Sequence, residues 1–413
     1  MRSQKQQPEL PFDNNLPIEQ KNWKKVRFDQ IAECINDKVD DPSKAGVDRY
    51  VGLEHLDPES LKIRRWGTPD DVEASKLRFK PGDIIFGKRR AYQRKLAVAD
   101  FEGICSAHAM VLRAREEEVL KDFFPYFLQT DTFFERALSI SIGSLSPTIN
   151  WNMLAKQEFS IPPKDEQRRI ADILWSMDEA CLKFADVFLQ NKHVKRQLLT
   201  QLTTKGISKN ETQITKAEMF PSAWKKVLLG ELLILCQYGL SIPLNNIGKY
   251  PIFRMMNLED GVVVENDMKF VDLSDKDLKT YKLETGDILF NRTNSADLVG
   301  KVAIYNLNGD HVFASYLIRL QANKNLVLPE YLNYYLNSDL GQQRILAYAT
   351  PGVSQTNINA DNLKKVFVPL PPIEEQKQIV VALEELVSFD KTIQKQLSYV
   401  SKLKKELLNK LLS

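Results

Sequence analysis

The chain has 413 residues, with 57 lysines and arginines against 54 aspartates and glutamates, and a formal net charge of +3. That length exceeds one ordinary domain, so we expect two or three. Hydrophobic residues make up 43% of the chain, which excludes disorder throughout, and the near balance of charge means that a nucleic-acid binder of this composition must gather its basic residues on one face.

The sequence has none of the marks of a membrane or exported protein. It contains no run of about 18 apolar residues, and residues 1–15 include no hydrophobic core of a signal peptide. Its four cysteines and four histidines are scattered without paired spacing, so we predict neither a disulfide framework nor a metal site. We therefore expect a cytoplasmic protein that binds no metal.

Three motifs occur twice, in the same order. They are Trp-Lys-Lys-Val at 23–26 and 224–227, Gly-Asp-Ile-(Ile/Leu)-Phe at 82–86 and 286–290, and Pro-Pro-x-x-Glu-Gln at 162–167 and 371–376. Three collinear matches indicate a duplication, here called copy one and copy two. Between the motifs the copies differ strongly, so one scaffold is expected to carry two different surfaces.

The first part of each copy is rich in short β-like runs between Gly, Pro, Asn and Asp. A polar N-terminal arm is expected at 1–20, and compact α+β domains at 21–161 and 221–370. Each domain is predicted to contain one longer helix, at 123–138 and at 329–346. The strand order does not follow from the sequence.

The second part of each copy is predicted to be a long helix, at 162–203 and 371–413, with a linker at 204–220 between them. Proline suits the first turn of a helix, and acidic residues near its start suit the helix dipole. Apolar residues then recur by heptads, a pattern typical of a coiled coil. In copy one they are Ile170, Leu174, Met177, Phe184 and Leu198, and in copy two Ile379, Leu386, Ile393, Val400 and Leu407.

The alternative for these heptads is a helix that packs on its own domain core. Asn191 lies at a core position, where a buried Asn would favour one register, and Phe389 is expected to widen the second apolar stripe. The predicted fold class is α+β, with two duplicated domains joined by two long antiparallel coiled-coil helices about a pseudo-twofold axis. Basic residues expected on the outer helix faces are candidates for docking partner subunits: Arg168, Arg169 and Lys195 on the first helix, and Lys377, Lys404 and Lys405 on the second.

Catalytic motifs are absent from the sequence. Gly82 to Lys88 nearly matches a phosphate-binding loop, but Arg89 stands where Ser or Thr would bind magnesium, and the stretch has a strand pattern. No catalytic residue is predicted.

A binding surface is better supported, by a basic run that directly follows the Gly82 strand. Cations in a loop suit phosphate contacts, and arginine also reads guanine edges. The run contains Lys88, Arg89, Arg90, Tyr92, Arg94 and Lys95. A solvated charged loop is the alternative.

The equivalent loop of copy two carries one cation and four hydrogen-bonding side chains. Asn can read adenine through two hydrogen bonds, so the two loops are expected to read different sequences. The residues are Asn291, Arg292, Thr293, Asn294 and Ser295. Two further polar loops, 141–150 with Ser144 and 349–359, precede the long helices and could contact DNA backbone; ordinary turns are the alternative.

These motifs together resemble the specificity subunit of type I restriction–modification systems. The resemblance rests on the Trp-Lys-Lys-Val starts, the Gly-Asp-Ile strands and above all the Pro-Pro-x-x-Glu-Gln helix openings, and it covers nearly the whole chain after about residue 20. It implies that the α+β domains are target-recognition domains that each read half of a split DNA site. It also implies that the long helices form a spacer between them.

The resemblance further implies a non-catalytic subunit with two methyltransferase and two restriction subunits as partners. S-adenosylmethionine, ATP and Mg²⁺ would then belong to the complex, with no cofactor bound by this chain. Two alternatives stay open: a coiled-coil scaffold that binds no DNA, and the specificity subunit of a methyltransferase-only or type II-like system.

Overall fold

The computed structural model describes residues 22–207, 212–214, 219–294, 299–351 and 356–412. The predicted N-terminal arm, 1–20, lies outside them. Within these ranges no helix is both long and apolar enough to cross a membrane. The chain divides into two compact units: unit one runs up to Phe184 and resumes at Gln396, and unit two is Ala185–Lys395.

The elements of copy one follow in chain order. They are β1 (Lys24–Arg27), α1 (Phe28–Ile31), β2 (Ala32–Ile35), β3 (Lys38–Val39), β4 (Tyr50–Val51), β5 (Lys76–Phe79), β6 (Ile84–Gly87), β7 (Leu96–Val98), β8 (Gly103–Cys105), β9 (Ala109–Ala114), α2 (Phe124–Phe127), α3 (Asp131–Ser139), α4 (Trp151–Leu154), β10 (Glu158–Ile161) and α5 (Lys164–Lys205).

The elements of copy two continue the same numbering. They are β11 (Thr212–Ile214), β12 (Met219–Pro221), β13 (Lys225–Leu228), β14 (Leu233–Tyr238), β15 (Tyr250–Phe253), β16 (Leu258–Glu259), β17 (Val262–Val263), β18 (Lys269–Val271), α6 (Asp275–Tyr281), β19 (Ile288–Asn291), β20 (Thr293–Asn294), β21 (Val302–Ile304), β22 (Val312–Phe313), β23 (Leu317–Ala322), α7 (Pro329–Asn337), α8 (Asp339–Leu346), β24 (Thr350–Pro351), β25 (Thr356–Asn357), α9 (Ala360–Leu363), β26 (Phe367–Leu370) and α10 (Ile373–Leu412).

One sheet order occurs in both copies. The main sheet of copy one runs β2-β9-β6-β7, and that of copy two runs β14-β23-β19-β21 and continues into β17 and β16. On one face of each sheet, aromatic and aliphatic side chains pack against the helices to form the main core of the domain. The predicted α+β class and the duplication are therefore confirmed, and the structure supplies the strand order.

The Trp-Lys-Lys-Val motif forms the strand that ties each domain to its long helix. In copy one, Lys24 and Val26 of β1 pair with Ile161 and Phe159 of β10, the strand that leads into α5. In copy two, β13 pairs with β26 in the same register, ahead of α10. The start and end of each α+β domain are thus joined by backbone hydrogen bonds.

The Gly-Asp pair of the second motif builds a turn that few other residues could form. Gly82 and Gly286 have φ of 89° and 94°, a left-handed conformation that favours glycine. The following carboxylate accepts a hydrogen bond from the backbone N–H three residues earlier, at 2.9 Å for Asp83 and 2.7 Å for Asp287.

Each of these carboxylates also holds an arginine on the neighbouring strand. Arg113 donates two hydrogen bonds to Asp83, at 2.7 and 2.8 Å, and its side chain is 43% exposed. Arg319 lies 2.6 Å from Asp287, and both side chains are buried. Burial raises the pKa of Asp287 above its usual range although Arg319 opposes the shift.

The glutamine of the Pro-Pro-x-x-Glu-Gln motif locks the start of each long helix to its domain. Gln167 is fully buried; its Oε1 accepts the Leu120 N–H at 2.8 Å, and its Nε2 donates to the Pro162 carbonyl at 2.9 Å. Gln376 repeats this with the Leu328 N–H and the Pro371 carbonyl at 2.8 and 2.9 Å. The motif is therefore a structural joint.

The single helix predicted inside each domain is in fact two short helices. Thr130 starts the second helix of copy one by accepting the Phe133 N–H at 3.2 Å, and Ser338 does the same in copy two with the Gly341 N–H at 3.1 Å. A hydroxyl at this position satisfies an orphan donor of a new helix, so the chain turns there.

The long helices α5 and α10 pack side by side, and they run antiparallel in each unit. In unit one Asp178 meets Lys404 at 2.5 Å, while Cys181, further along α5, meets Ser401, earlier on α10. In unit two the Asn191 side chain donates to Asp390 at 2.6 Å. The predicted antiparallel helix pair is confirmed.

The predicted heptad residues are buried to different degrees along each helix. Ile170 and Leu174 belong to the core of domain one, and Ile379 belongs to the core of domain two, so the first turns do pack on their own domains. Ile393 is also buried, and the others are half-buried: Met177, Phe184, Leu198, Leu386, Val400 and Leu407.

Polar residues also lie in the contact between α5 and α10, here called the helix seam. Asn191 is 8% exposed, as its heptad position predicts.

Two lysines expected on the outer faces lie elsewhere. Lys404 is buried between Asp178 and the ring of Tyr126, and Lys195 is half-buried near Asp390, so neither lies on an outer face. Phe389, expected in the apolar stripe, is instead 48% exposed.

Candidate nucleic-acid interface

The two polar loops predicted separately in copy one lie together. The Ile149 N–H donates to the Lys88 carbonyl at 3.0 Å, and the Arg90 N–H donates to the Pro147 carbonyl at 2.9 Å. The segment 142–148 forms a hairpin, here called hairpin one, which is closed by reciprocal backbone hydrogen bonds between Ile142 and Thr148 at 3.0 and 2.9 Å. Hairpin one and the basic run therefore form one surface.

Arg89 is the side chain that fastens hairpin one to the basic run. Its Nε donates to Ser146 Oγ at 3.2 Å, and its Nη1 donates to His108 Nε2 at 3.0 Å. Burial, assisted by Arg89 and Lys88, lowers the pKa of His108, which keeps the ring neutral and able to accept this bond. Arg89 is still exposed, so it presents positive charge at the hairpin.

The other residues of the basic run divide into two groups. Arg90 and Tyr92 are exposed, and Lys88 is half-buried. Arg94 instead pairs with Asp131 at 2.5 Å, and Lys95 donates to the Leu53 carbonyl at 2.8 Å. The side chains of Arg94 and Lys95 therefore bind groups of the domain itself and hold the loop in place.

The backbone of the basic run is unusual at two arginines. Arg90 and Arg94 have φ of 54° and 51° and flank the short turn Ala91–Gln93. A non-glycine residue in the left-handed region costs about 1 kcal/mol or more and persists where its surroundings impose it. The loop is therefore held in one shape.

Hairpin one ends in exposed apolar side chains that the sequence analysis missed. Leu145, at the tip, is 93% exposed, and Ile142 is 70% exposed; Ser144 between them is also exposed. The available signal was two large apolar residues in a stretch otherwise made of Ser, Gly, Pro and Thr.

A cleft of about 510 Å³ lies beside hairpin one. Lys88, Ile142 and Trp151 are among its lining residues, together with the polar side chains of Asn36 and Asn152. Cys34 also lines it, but burial raises the pKa of this thiol, so it stays protonated at neutral pH.

Copy two repeats this backbone arrangement with different side chains. The Ile358 N–H donates to the Arg292 carbonyl at 2.9 Å, as Ile149 does to Lys88. Thr293 pairs with Asn357, as Arg89 pairs with Thr148 in copy one. Asn357 also pairs with Thr350, as Thr148 pairs with Ile142. The same pairing of three segments, here called the platform, is thus present twice, as β20, β25 and β24 in copy two and as isolated bridges in copy one.

Three polar side chains of the copy two platform that the structure describes, Asn291, Arg292 and Thr293, are fully or partly buried. Asn291 is fully buried, so its expected position at the surface is wrong. Arg292 donates to the Ser315 carbonyl at 3.3 Å and stacks over the ring of Tyr238 at 5.0 Å. Thr293 is half-buried, while Ser295 and the side chain of Asn294 lie outside the described part of the chain.

Charge distinguishes the two platforms. In copy one, five cations lie in the segment 84–99 and one, Lys156, lies in the segment 139–157. Neither segment contains an acidic residue. In copy two, Arg292 is the single cation between residues 288 and 296.

In the described residues no group of three or more His, Cys, Asp or Glu side chains could hold a metal ion. The stretch that resembled a phosphate-binding loop forms β6.

Comparisons with known proteins agree with this duplicated layout. Residues 20–186 and 221–400 each match the family model described as the type I restriction modification DNA specificity domain. The EcoKI specificity subunit of the type I restriction enzyme of Escherichia coli K12 is 27% identical over 356 residues, which cover 84% of this chain and 73% of that one. The MjaX specificity subunit of Methanocaldococcus jannaschii is 36% identical over 208 residues, about half of each chain.

Solved structures share the fold. A chain from a structure of complex assembly and conformational transition in the type I R-M system has a TM-score of 0.61 at 20% identity, and the match covers 95% of this chain and 97% of that one. The type I restriction–modification S subunit of M. genitalium has a TM-score of 0.57 at 17% identity and is covered over 98% of both chains.

Proposed function

Because the chain belongs to the type I restriction modification DNA specificity family, we propose that it is the DNA-recognition subunit of a type I restriction–modification complex. Each α+β domain would read one half of a bipartite site. The observation that carries this proposal is the platform, which has the same backbone pairing in both copies but different side chains.

The platform of copy one has the chemistry of a DNA surface. Exposed Arg89 and Arg90 suit phosphate contacts or guanine edges, and no carboxylate of the two segments would repel the DNA backbone. Hairpin one projects beyond them and can enter a groove. In copy two, the neutral polar residues of 293–295 would read other bases, in front of an Arg292 that is bonded to the Ser315 carbonyl.

The helix pair would set the separation of the two half-sites. Half-sites on one face of B-DNA lie about 34 Å apart, or a multiple of that distance. The polar contacts in the seam, Asp178 with Lys404 and Asn191 with Asp390, support one fixed register for the two helices. A fixed register is what a spacer needs.

The same helices offer a docking surface for partner subunits. On the unit two part of α5, Val187 and Val194 are 40% and 50% exposed and lie seven residues apart on one helix face, and we propose that this face binds a methyltransferase subunit. In the whole assembly, two methyltransferase subunits would use S-adenosylmethionine, and two restriction subunits would use ATP and Mg²⁺. This chain would take no part in the chemistry, and the complex would work in the cytoplasm.

A combined experiment tests the proposal. Methylated adenines are mapped in the DNA of a host that carries this chain and its methyltransferase, and they should define one bipartite sequence. Duplexes with that sequence should then bind the purified complex with an affinity that falls steeply as salt rises, because phosphate contacts release counterions. A coiled-coil scaffold without DNA binding would give no salt-dependent affinity, and methyl transfer or cutting by this chain alone would show an enzyme.

A further inference from the structure

Hairpin one holds a large apolar side chain fully in solvent at a fixed place. Leu145 is 93% exposed at the tip of a turn whose two ends, Ile142 and Thr148, exchange backbone hydrogen bonds. Gly143 has φ of 107°, which allows the tight path of the turn. An exposed leucine has no folding benefit here, so a contact with another molecule is the natural role of this residue.

The hairpin is rigid enough to place that side chain. Arg89 bonds Ser146 on the hairpin at 3.2 Å, Thr148 Oγ1 donates to the Ser146 carbonyl at 3.1 Å, and the Arg90 N–H donates to Pro147. A preorganised loop loses little conformational freedom when it binds, so even a small apolar contact gains affinity.

Resting on the proposed function, we infer that Leu145, with Ile142 beside it, contacts the methyl group of a thymine in the major groove of the copy one half-site. The thymine methyl is the apolar group that base edges present in that groove. A leucine side chain offers nothing to the donors and acceptors of the other bases. The hairpin therefore selects for thymine by apolar contact, and it does so without a hydrogen bond.

Charge around the hairpin favours DNA over a protein partner. Arg89 and Arg90 lie at its base, and residues 139–157, which contain it, include no Asp or Glu. These cations can bind the phosphates on either side of the groove while the apolar tip enters it. The absence of carboxylates from this segment suits the DNA backbone, which carries a dense negative charge.

The test uses the full chain in its methyltransferase complex and a duplex with the mapped site. The half-site read by copy one is identified by exchanging the domain of copy two, which alters the other half. Each thymine in that half-site is then replaced singly by deoxyuridine, which lacks only the methyl group. The wild-type complex should bind about fourfold more weakly at one such position, since one buried methyl group is lost.

Leu145→Ala is the matched variant, and Leu326→Ala, at a residue 43% exposed in copy two, is its control. The Leu145→Ala complex should bind thymine DNA roughly tenfold more weakly and no longer distinguish thymine from uracil at that position. Leu326→Ala should behave as wild type in both respects. This thermodynamic cycle isolates the contact between the leucine and the methyl group.

Several outcomes would overturn the inference. A wild-type complex that binds thymine and uracil DNA equally at every position, or a Leu145→Ala complex that binds as wild type does, would show that the leucine reads no methyl group. Equal loss on thymine and uracil DNA, with loss of a DNA bend, would instead indicate a wedge between base pairs. Failure of Leu145→Ala to assemble with the methyltransferase would indicate a protein contact. Absence of any salt-dependent binding by the wild-type complex would defeat the proposed function itself.

Discussion

The platforms of the two copies share a pattern of backbone pairing and differ in the side chains that the structure describes. In copy one, Arg89 and Arg90 are exposed at the base of a hairpin with an apolar tip. In copy two, Asn291 is buried, and Arg292 is bonded to the Ser315 carbonyl within the domain. The hydrogen bonds between backbone groups form without regard to side-chain type. A duplicated scaffold can therefore keep its shape while its two surfaces diverge.

The three repeated motifs belong to that shared scaffold. They form the strand pair at the domain boundary, the Gly-Asp turn and the buried glutamine joint. None of them lies on the platform surface except where the basic run leaves β6. The parts by which the duplication is detected are thus different from the parts that distinguish the copies.

The largest effect expected from this comparison is on sequence choice. Replacing residues 221–370 with the equivalent domain of another family member should change one half of the recognised site and leave the other intact. Loss of a correct half-site costs about 4 kcal/mol or more of binding free energy, since each mismatched base pair costs about 1–3 kcal/mol. Mapping methylated adenines before and after the exchange measures this. A change in both halves would show that the domains do not read independently.

The next largest expected difference between the copies is in the free energy of unfolding lost when the aspartate of the Gly-Asp turn is replaced. Asp287→Asn leaves Arg319 charged and buried, so the free energy of unfolding should fall by about 3 kcal/mol. Asp83→Asn should cost about 1 kcal/mol, because the half-exposed Arg113 can be hydrated in place of its pair. Urea denaturation of the two full-length variants measures both. Equal shifts would mean that burial of the arginine does not decide the cost.

The helix seam gives a third contrast. Asp178→Ala should lower the free energy of unfolding by about 2–3 kcal/mol, because Lys404 stays buried without its carboxylate and Tyr126 loses an acceptor at 2.8 Å. Asp390→Ala should cost about 1 kcal/mol, because it leaves the neutral Asn191 and a lysine 3.9 Å away that is already partly hydrated.

A double variant sharpens that prediction. Asp178→Leu combined with Lys404→Met replaces the charged pair by apolar side chains and should recover most of the lost stability, since apolar replacements avoid the desolvation of two charges. Thermal denaturation of the single and double variants gives the comparison. If the double variant were no more stable than Asp178→Ala, the cost would not come from the unpaired lysine.

The smallest predicted effect is on the salt dependence of DNA affinity. Arg90→Gln should reduce the slope of log affinity against log salt by about 1, as expected for the loss of one phosphate contact. Arg292→Gln should leave the slope unchanged, because that guanidinium is bonded to the Ser315 carbonyl within the domain. DNA titrations at several salt concentrations measure both slopes. A fall in slope for both variants would remove the distinction between the platforms.

The sequence alone determined the duplication, the α+β class, the long helices and the buried position of Asn191. These features depend on local spacing, which periodic apolar residues, prolines and glycines record directly. The tertiary structure alone decided that the segments 88–95 and 141–150 form one surface. It also decided that Arg94 and Lys95 turn into the domain and that Lys404 lies inside the helix seam. Such outcomes depend on partners distant in the chain, here Asp131, the Leu53 carbonyl and Asp178, and local spacing says nothing about which distant groups will meet.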